Sequence, residues 1–223
     1  MNLDIAIDQL IEIVTQVRQS SFADDKTPLG NALALEKEID LFKIGKSEFD
    51  VVVFGDLNDF KRLNDMHGHE AGNLAIEQVG KKIQEKLVQK HKSKAFRQSG
   101  DEFIILLKQT AIKTLHAKTQ IFKSLKFQYK GKFLETKMSF GYVISDKKTD
   151  FTELIKQAEA ACLIAKSQGD GTCVEWNRDL EIRALRSFRR NCHQCGSINR
   201  CDVPKNKNPE EIIICSFCGE RFD

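Results

Sequence analysis

No apolar run in this chain approaches the roughly 18 residues that a membrane-spanning helix needs. The N-terminus carries Asp4, Asp8 and Glu12 in place of a basic cluster, so a secretory leader is not expected there. Histidines are few and scattered. His67, His69, His91 and His116 form no pair at metal-ligand spacing, and each is read as structural or solvated. Charge of one sign is also lacking: the net charge is only +3, which by itself predicts nothing about nucleic acid. A hydrophobic fraction of 41% and a charged fraction of 30% suit a soluble protein away from membranes. The length of 223 residues allows one large domain or two modest ones.

What is present centres on residues 49–107. Val51-Val52-Val53-Phe54 is β-branched, apolar and short, as in a buried strand, and it runs into Gly55-Asp56. Ala95 to Ile105 reads as a hairpin with Ser99-Gly100 as its two-residue turn, followed by Asp101 and Glu102. If the hairpin lies beside the first strand, Asp56 and Asp101 face each other at the strand ends. Carboxylates on rigid strand ends make an oxygen-ligand site for Mg²⁺ or Mn²⁺, completed by water and substrate phosphates.

These segments carry a family resemblance. Asp56-Leu57-Asn58-Asp59-Phe60-Lys61-Arg62-Leu63-Asn64-Asp65, Gly68-His69-Glu70-Ala71-Gly72-Asn73 and Arg97 to Phe103 resemble the GGDEF domain of diguanylate cyclases. Asp24 to Asn31 is similar to the family's DxLTGLxN. Thr136 to Val143 is similar to its late core strand, and Ala158 to Gly171 to its last helix. The resemblance covers residues 23–177 in order. It implies an α/β (α+β) fold: a palm-like, mainly antiparallel sheet flanked by helices. It implies a nucleotidyl cyclase that joins two nucleoside triphosphates into a cyclic dinucleotide across a homodimer. Asp56, Asp101 and Glu102 would be catalytic, with Mg²⁺ or Mn²⁺ on Asp56, Asp101 and the Leu57 carbonyl. The amides of Phe60 and Lys61 would hold the triphosphate at a helix start. Lys166 matches a phosphate-reaching lysine, and Asn64 a purine-contacting amide.

Several positions depart from the family pattern. Pro28 and Ala32 replace a Gly and an Arg, and Asn58 replaces an Asp while remaining a plausible helix cap with Asp59. Ser99 replaces a glycine; if its φ were positive the strain would be about 1–2 kcal/mol. Lys90-His91-Lys92-Ser93 stands where the family has RxxD, so feedback inhibition of the family type is not expected. Asp170 replaces an Arg near the phosphates, which is unfavourable unless Arg97, Lys61 or another cation compensates. Asn73 replaces the second base-contacting residue, an Asp. A carboxylate only accepts hydrogen bonds, as guanine's donor edge requires; an amide both donates and accepts, as adenine requires. Substrates are therefore GTP and, through Asn73, ATP as a further candidate; retained guanine choice and a degenerate site stay open.

The remainder reads as three pieces. Residues 1–22 form an amphipathic helix with Leu3, Ile7, Leu10, Val14 and Val17 on one seam, either packed on its own domain or serving as a dimerising stalk. Further helices are expected over residues 32–43, 71–88, 110–125 and 151–167, with a second hairpin turning at Lys130-Gly131. Residues 178–190 are a basic linker helix, solvated or in contact with an anionic partner such as nucleic acid.

Residues 191–223 hold two matched CxxCG turns, Cys192/Cys195 and Cys215/Cys218, with ligand spacing for structural Zn²⁺ in a zinc ribbon. Such a ribbon could contact protein or nucleic acid. The seven cysteines fit a cytoplasmic, reducing setting, with Cys162 and Cys173 as core thiols. Two other function classes remain: a nucleotide-sensing adaptor without turnover, and a nucleic-acid-binding protein whose palm is only scaffold.

Overall fold

The computed structural model describes residue 7, residues 21–88, 93–169 and 171–177, and the backbone of 187–191 and 198–202. The amphipathic seam of residues 3–20 other than Ile7, the segment 90–92, Asp170 and the four proposed zinc cysteines lie outside the described residues. The chain divides into two compact units, Met1–Glu175 and Trp176–Asp223.

Within the first unit, α1 (Ala32–Lys43) follows the turn-rich opening, with Asn31 capping it by accepting from the Ala34 amide. Then come β1 (Val51–Asn58), α2 (Phe60–His67) and α3 (His69–Lys86). The hairpin strands are β2 (Ser93–Ser99) and β3 (Glu102–Leu107). The helix expected over residues 110–125 is broken into a 3₁₀ turn, α4 (Ile112–Thr119) and a second 3₁₀ turn. β4 (Leu125–Tyr129) and β5 (Lys132–Ile144) turn at Lys130 and Gly131, both at positive φ (46° and 77°), the geometry a two-residue hairpin demands. α5 (Phe151–Gln168) and β6 (Cys173–Glu175) complete the unit.

The sheet runs β2-β3-β1-β5-β4, with β6 paired to β5. Every pairing is antiparallel except β5 with β6, so the sheet is mixed. Strand alternation sorts its two faces. Val51, Val53 and Leu57 of β1 join Phe103, Ile105 and Phe140 in a core with Ala75, Ile76, Val79 and Ile83 of α3. Each such large side chain, fully buried, contributes about 1.5–3 kcal/mol. The alternate residues Val52, Phe54, Asp56 and Asn58 therefore point to the opposite face. There α5 lies directly on β5: a Cβ added at Gly141 would sit 2.0 Å from the Cys162 nitrogen and 2.2 Å from the Ala158 oxygen.

In the second unit, β7 (Ser187–Asn191) pairs antiparallel with β8 (Ile198–Asp202). The end of the segment expected as a linker helix is thus a strand. A spacing of arginines does not by itself separate a helix from a hairpin strand, and backbone pairing with β8 decides it.

Candidate active site

The site grows from one register. Asp56 of β1 stands opposite Glu102 of β3 on one side and Ser139 of β5 on the other, so all three share the sheet face that α5 covers. The Leu57 amide donates to the Asp101 carbonyl at 3.4 Å, which brings the hairpin tip against the end of β1. Lys166 lies one turn beyond Cys162, where α5 is pressed onto β5. Its Nζ bonds Asp56 Oδ1 at 2.5 Å and the Leu57 carbonyl oxygen at 3.2 Å. Beside them the Asn58 amide donates to Ser139 Oγ at 3.1 Å.

The electrostatics follow from this packing. Burial pushes the Asp56 carboxyl up to about 6, against the lowering by Lys166 and with Asp101 and Glu102 adding like charge. Asp101 is also raised, chiefly by burial. A buried carboxylate cluster of this kind lowers its energy by acquiring a cation. Asp56, Asp101 and the Leu57 carbonyl are all oxygen donors, the set that Mg²⁺ or Mn²⁺ takes together with water and phosphate. Lys166, bonded to two of these three donors, shows that the place accepts positive charge. Among the described residues no three His, Cys, Asp or Glu side chains converge as a complete metal cage.

The hairpin tip differs from its sequence reading. The turn residues are Gly100 and Asp101, because Ser99 pairs with Glu102 and the register shifts between Arg97 and Ser99. Gly100 takes the positive φ, 43°, and Ser99 does not, so the strain considered for Ser99 does not arise. Ser99 Oγ instead donates to Glu102 Oε2 at 2.7 Å. Arg97 is committed to structure: its Nη1 bonds Asp24 Oδ2 at 3.0 Å and its Nε bonds the Gly100 carbonyl at 2.9 Å. It is therefore not the spare cation foreseen for the phosphates.

At the head of α2, Asn58 belongs to the strand. Asp59 occupies the cap position in the left-handed region (φ 55°) without a side-chain cap bond, so the expected Asn58-Asp59 cap is absent. Phe60 and Lys61 open the helix, with Lys61 exposed. Asn64 Oδ1 is buried and has no hydrogen-bond partner; it abuts Gly72, where a Cβ would come within 1.9 Å of it and 3.2 Å of Phe60 Cζ. Gly72 thereby lets α2 and α3 close, joining Phe60 and Asn64 to the turn of helix that presents Asn73. Asn73 itself is exposed, and its Oδ1 accepts from Lys26 Nζ at 2.9 Å. Lys26 was missed in the sequence, although it stands at the Leu position of the DxLTGLxN pattern, where a cation is a visible departure.

Other expectations resolve simply. Cys162 is a buried free thiol donating to the Ser139 carbonyl, and Cys173 is a half-buried free thiol. His116 is structural, with Nε2 3.1 Å from the Tyr142 hydroxyl, which in turn donates to Glu175 at 2.9 Å.

The mainly antiparallel sheet thus brings two strand-end acids, Asp56 and Asp101, beside Lys166. The family model described as "Diguanylate cyclase, GGDEF domain" matches residues 21–172, and the chain belongs to that family. Over 138 residues it is 32% identical to Cyclic di-GMP phosphodiesterase PdeR of Escherichia coli (strain K12), covering 60% of this chain and 21% of that protein. Over 131 residues it is 30% identical to Diguanylate cyclase A of Treponema denticola, covering 56% of this chain and 34% of that one. The chain thus spans about a fifth and about a third of the length of these two curated relatives. Its fold is similar to the coiled coil and GGDEF domain of DgcB from Caulobacter crescentus, solved with c-di-GMP. That likeness has a TM-score of 0.67 at 21% identity and covers 77% of this chain and 94% of that one. It is also similar to diguanylate cyclase SiaD of Pseudomonas aeruginosa, solved with its activator SiaC (TM-score 0.66, 22% identity, 77% and 68% covered).

Proposed function

We propose that this domain condenses two nucleoside triphosphates into a cyclic dinucleotide. The 3′-oxygen of each nucleotide forms a bond to the α-phosphorus of the other, two pyrophosphates leave, and each hydroxyl proton passes to a base or solvent. The observation that carries this reading is the convergence of Asp56, Asp101 and Lys166 at the ends of β1 and the β2–β3 hairpin. Asp56, Asp101 and the Leu57 carbonyl would hold Mg²⁺ or Mn²⁺, which supplies charge neutralisation at the phosphates and favours the ionised 3′-hydroxyl.

This chain's own residues supply the remaining roles. The first amides of α2, at Phe60 and Lys61, offer donors to phosphate oxygens. Lys166 leaves its present partners to meet phosphate. Glu102, held by Ser99, accepts a proton or steadies the hairpin tip. Asn64 and Asn73 hold the base. Because one domain holds one nucleotide, the reaction requires two copies facing each other, and a homodimer is part of the proposal.

The test is a product assay with Mg²⁺ or Mn²⁺ and GTP, ATP or both, read by mass spectrometry, with Asp101→Ala as control. A cyclic dinucleotide that disappears in the variant supports the enzyme. Nucleotide binding without product under every condition overturns it. The second reading, a regulator that binds nucleotide without turnover, draws on Lys166 filling the cation position and on the likeness to a protein named a phosphodiesterase. It would then stand.

For the second unit, the sequence supports a structural Zn²⁺ on Cys192, Cys195, Cys215 and Cys218 and a surface for protein or nucleic acid. One zinc per chain by elemental analysis, lost in Cys195→Ser, is the expected result. Thiol use supports a cytoplasmic setting. Among the described residues no helix is long and apolar enough to cross a membrane.

A further inference from the structure

Lys26 and Asn73 lie 47 positions apart in sequence and meet at 2.9 Å. A lysine ammonium carries only donors, so the Asn73 atom it touches is the carbonyl oxygen. That contact favours one orientation of the amide. With Oδ1 turned to Lys26, the two N–H groups of Nδ2 point away from it.

The acids that could otherwise draw Lys26 away have their own cations. Glu70 takes the Tyr129 hydroxyl and Lys130, Glu77 takes Lys81, and Asp25 takes Arg97 at 3.5 Å. Lys26 and Asn73 also line one open cavity of about 660 Å³, together with Leu74, Glu70 and Tyr129, which is room enough for a purine.

Building on the nucleotide-binding reading above, we infer that Lys26 is a base-selecting residue, which orients the Asn73 amide so that the pocket prefers adenine to guanine. The pairing chemistry is direct. Adenine presents a ring acceptor, N1, beside an exocyclic N–H donor; guanine presents donors at both N1 and its 2-amino group. Asn73 in this orientation gives a donor for adenine N1 and meets guanine N1–H donor to donor. Asn64 lies outside the lining of that cavity with its Oδ1 unpartnered, and accepting the exocyclic N–H would require it to turn away from Gly72. A site built for one donor pattern rejects the other because the mismatched polar groups are left unpaired.

The test uses the full chain with Mg²⁺ and the α,β-methylene analogues of ATP and GTP, with binding measured by calorimetry. The wild-type protein is expected to bind the ATP analogue more tightly. Lys26→Met, which frees the amide to rotate, moves the ATP-to-GTP ratio at least tenfold toward GTP. Asn73→Asp moves it further, because one carboxylate oxygen stays with Lys26 and the other accepts from guanine N1–H. A wild-type preference for the GTP analogue overturns the inference. So does a ratio unchanged within twofold in Lys26→Met while both analogues still bind. Failure of the folded wild-type chain to bind either analogue instead removes the nucleotide-binding reading on which the inference stands.

Discussion

Lys166 Nζ and Asp56 Oδ1 lie 2.5 Å apart, although 110 positions separate them in sequence. The ammonium occupies the place where two oxygen ligands would meet a divalent ion, so lysine and metal compete. Replacing Lys166 with Met should therefore strengthen Mn²⁺ binding to the nucleotide-free protein by about tenfold, equivalent to ~1.4 kcal/mol. Product formation should fall by a similar factor or more, since the phosphates lose a cation. Electron paramagnetic resonance of free Mn²⁺ measures the first effect. Weaker Mn²⁺ binding in the variant would show that Lys166 supports the metal rather than standing in for it.

Two aspartates give opposite pH signatures. Burial works to raise the Asp24 pKa, but hydrogen bonds from Thr27 and Arg97 bring the folded-state value below the usual one. Its stabilisation is thus complete above the ordinary aspartate range and is lost as pH falls. Asp24→Asn should cost about 2 kcal/mol near neutrality, the usual worth of hydrogen bonds to a charged group, with the difference closing as pH falls below the ordinary aspartate range. Urea titrations across pH measure it, and a pH-independent difference would discount the ion pair.

For Asp56 the sign reverses. Its folded pKa of about 6 lies above the unfolded value, so the folded state holds the proton longer. In chelator, stability should decline as pH rises from ~4 through ~6, and Asp56→Asn should flatten that decline. An equal slope in the variant would assign it to other groups.

Gly141 tests how tightly α5 is seated. A methyl group there meets helix backbone at 2.0 Å, which no rotamer change relieves. Gly141→Ala should cost about 3 kcal/mol and shift Lys166 relative to Asp56. A thermal midpoint within a degree of wild type would mean that α5 can slide.

Ser99→Gly restores the residue type usual in the family, yet it should not stabilise the protein. Ser99 is not at positive φ, and its hydroxyl holds Glu102 at 2.7 Å. The expected outcome is a loss of about 0.5–1 kcal/mol, the usual cost of glycine in a strand. A gain would reveal strain at this position.

Much of this was legible in the sequence for physical reasons. The apolar run at Val51 and the acids after it announced a strand ending in carboxylates. The Lys130-Gly131 pair announced a hairpin turn, and α1 spans the residues 32–43 expected of it. The hairpin tip was misread by one residue, because a bulge between Arg97 and Ser99 adds a residue that no periodicity displays. Asp59 looked like an ordinary cap, but its backbone is left-handed, a choice set by how β1 hands over to α2. Lys26 stands out as a departure from the pattern, but its meaning depends on Asn73, a partner that only the fold brings near. The strand at Ser187 was hidden because spaced arginines suit either an exposed helix or an exposed ribbon.

The turn around Asp24 is spliced to the strand that carries the reactive tip. The Gly30 amide donates to Ala95 at 3.1 Å, the Arg97 amide donates to Gly30 at 2.8 Å, and the Arg97 guanidinium clasps Asp24 while holding Gly100. Mechanically this is a short crank. Asp24 and the Gly100 carbonyl are joined through one side chain, Arg97, so a displacement of the turn around Asp24 would bear directly on the corner that carries Asp101.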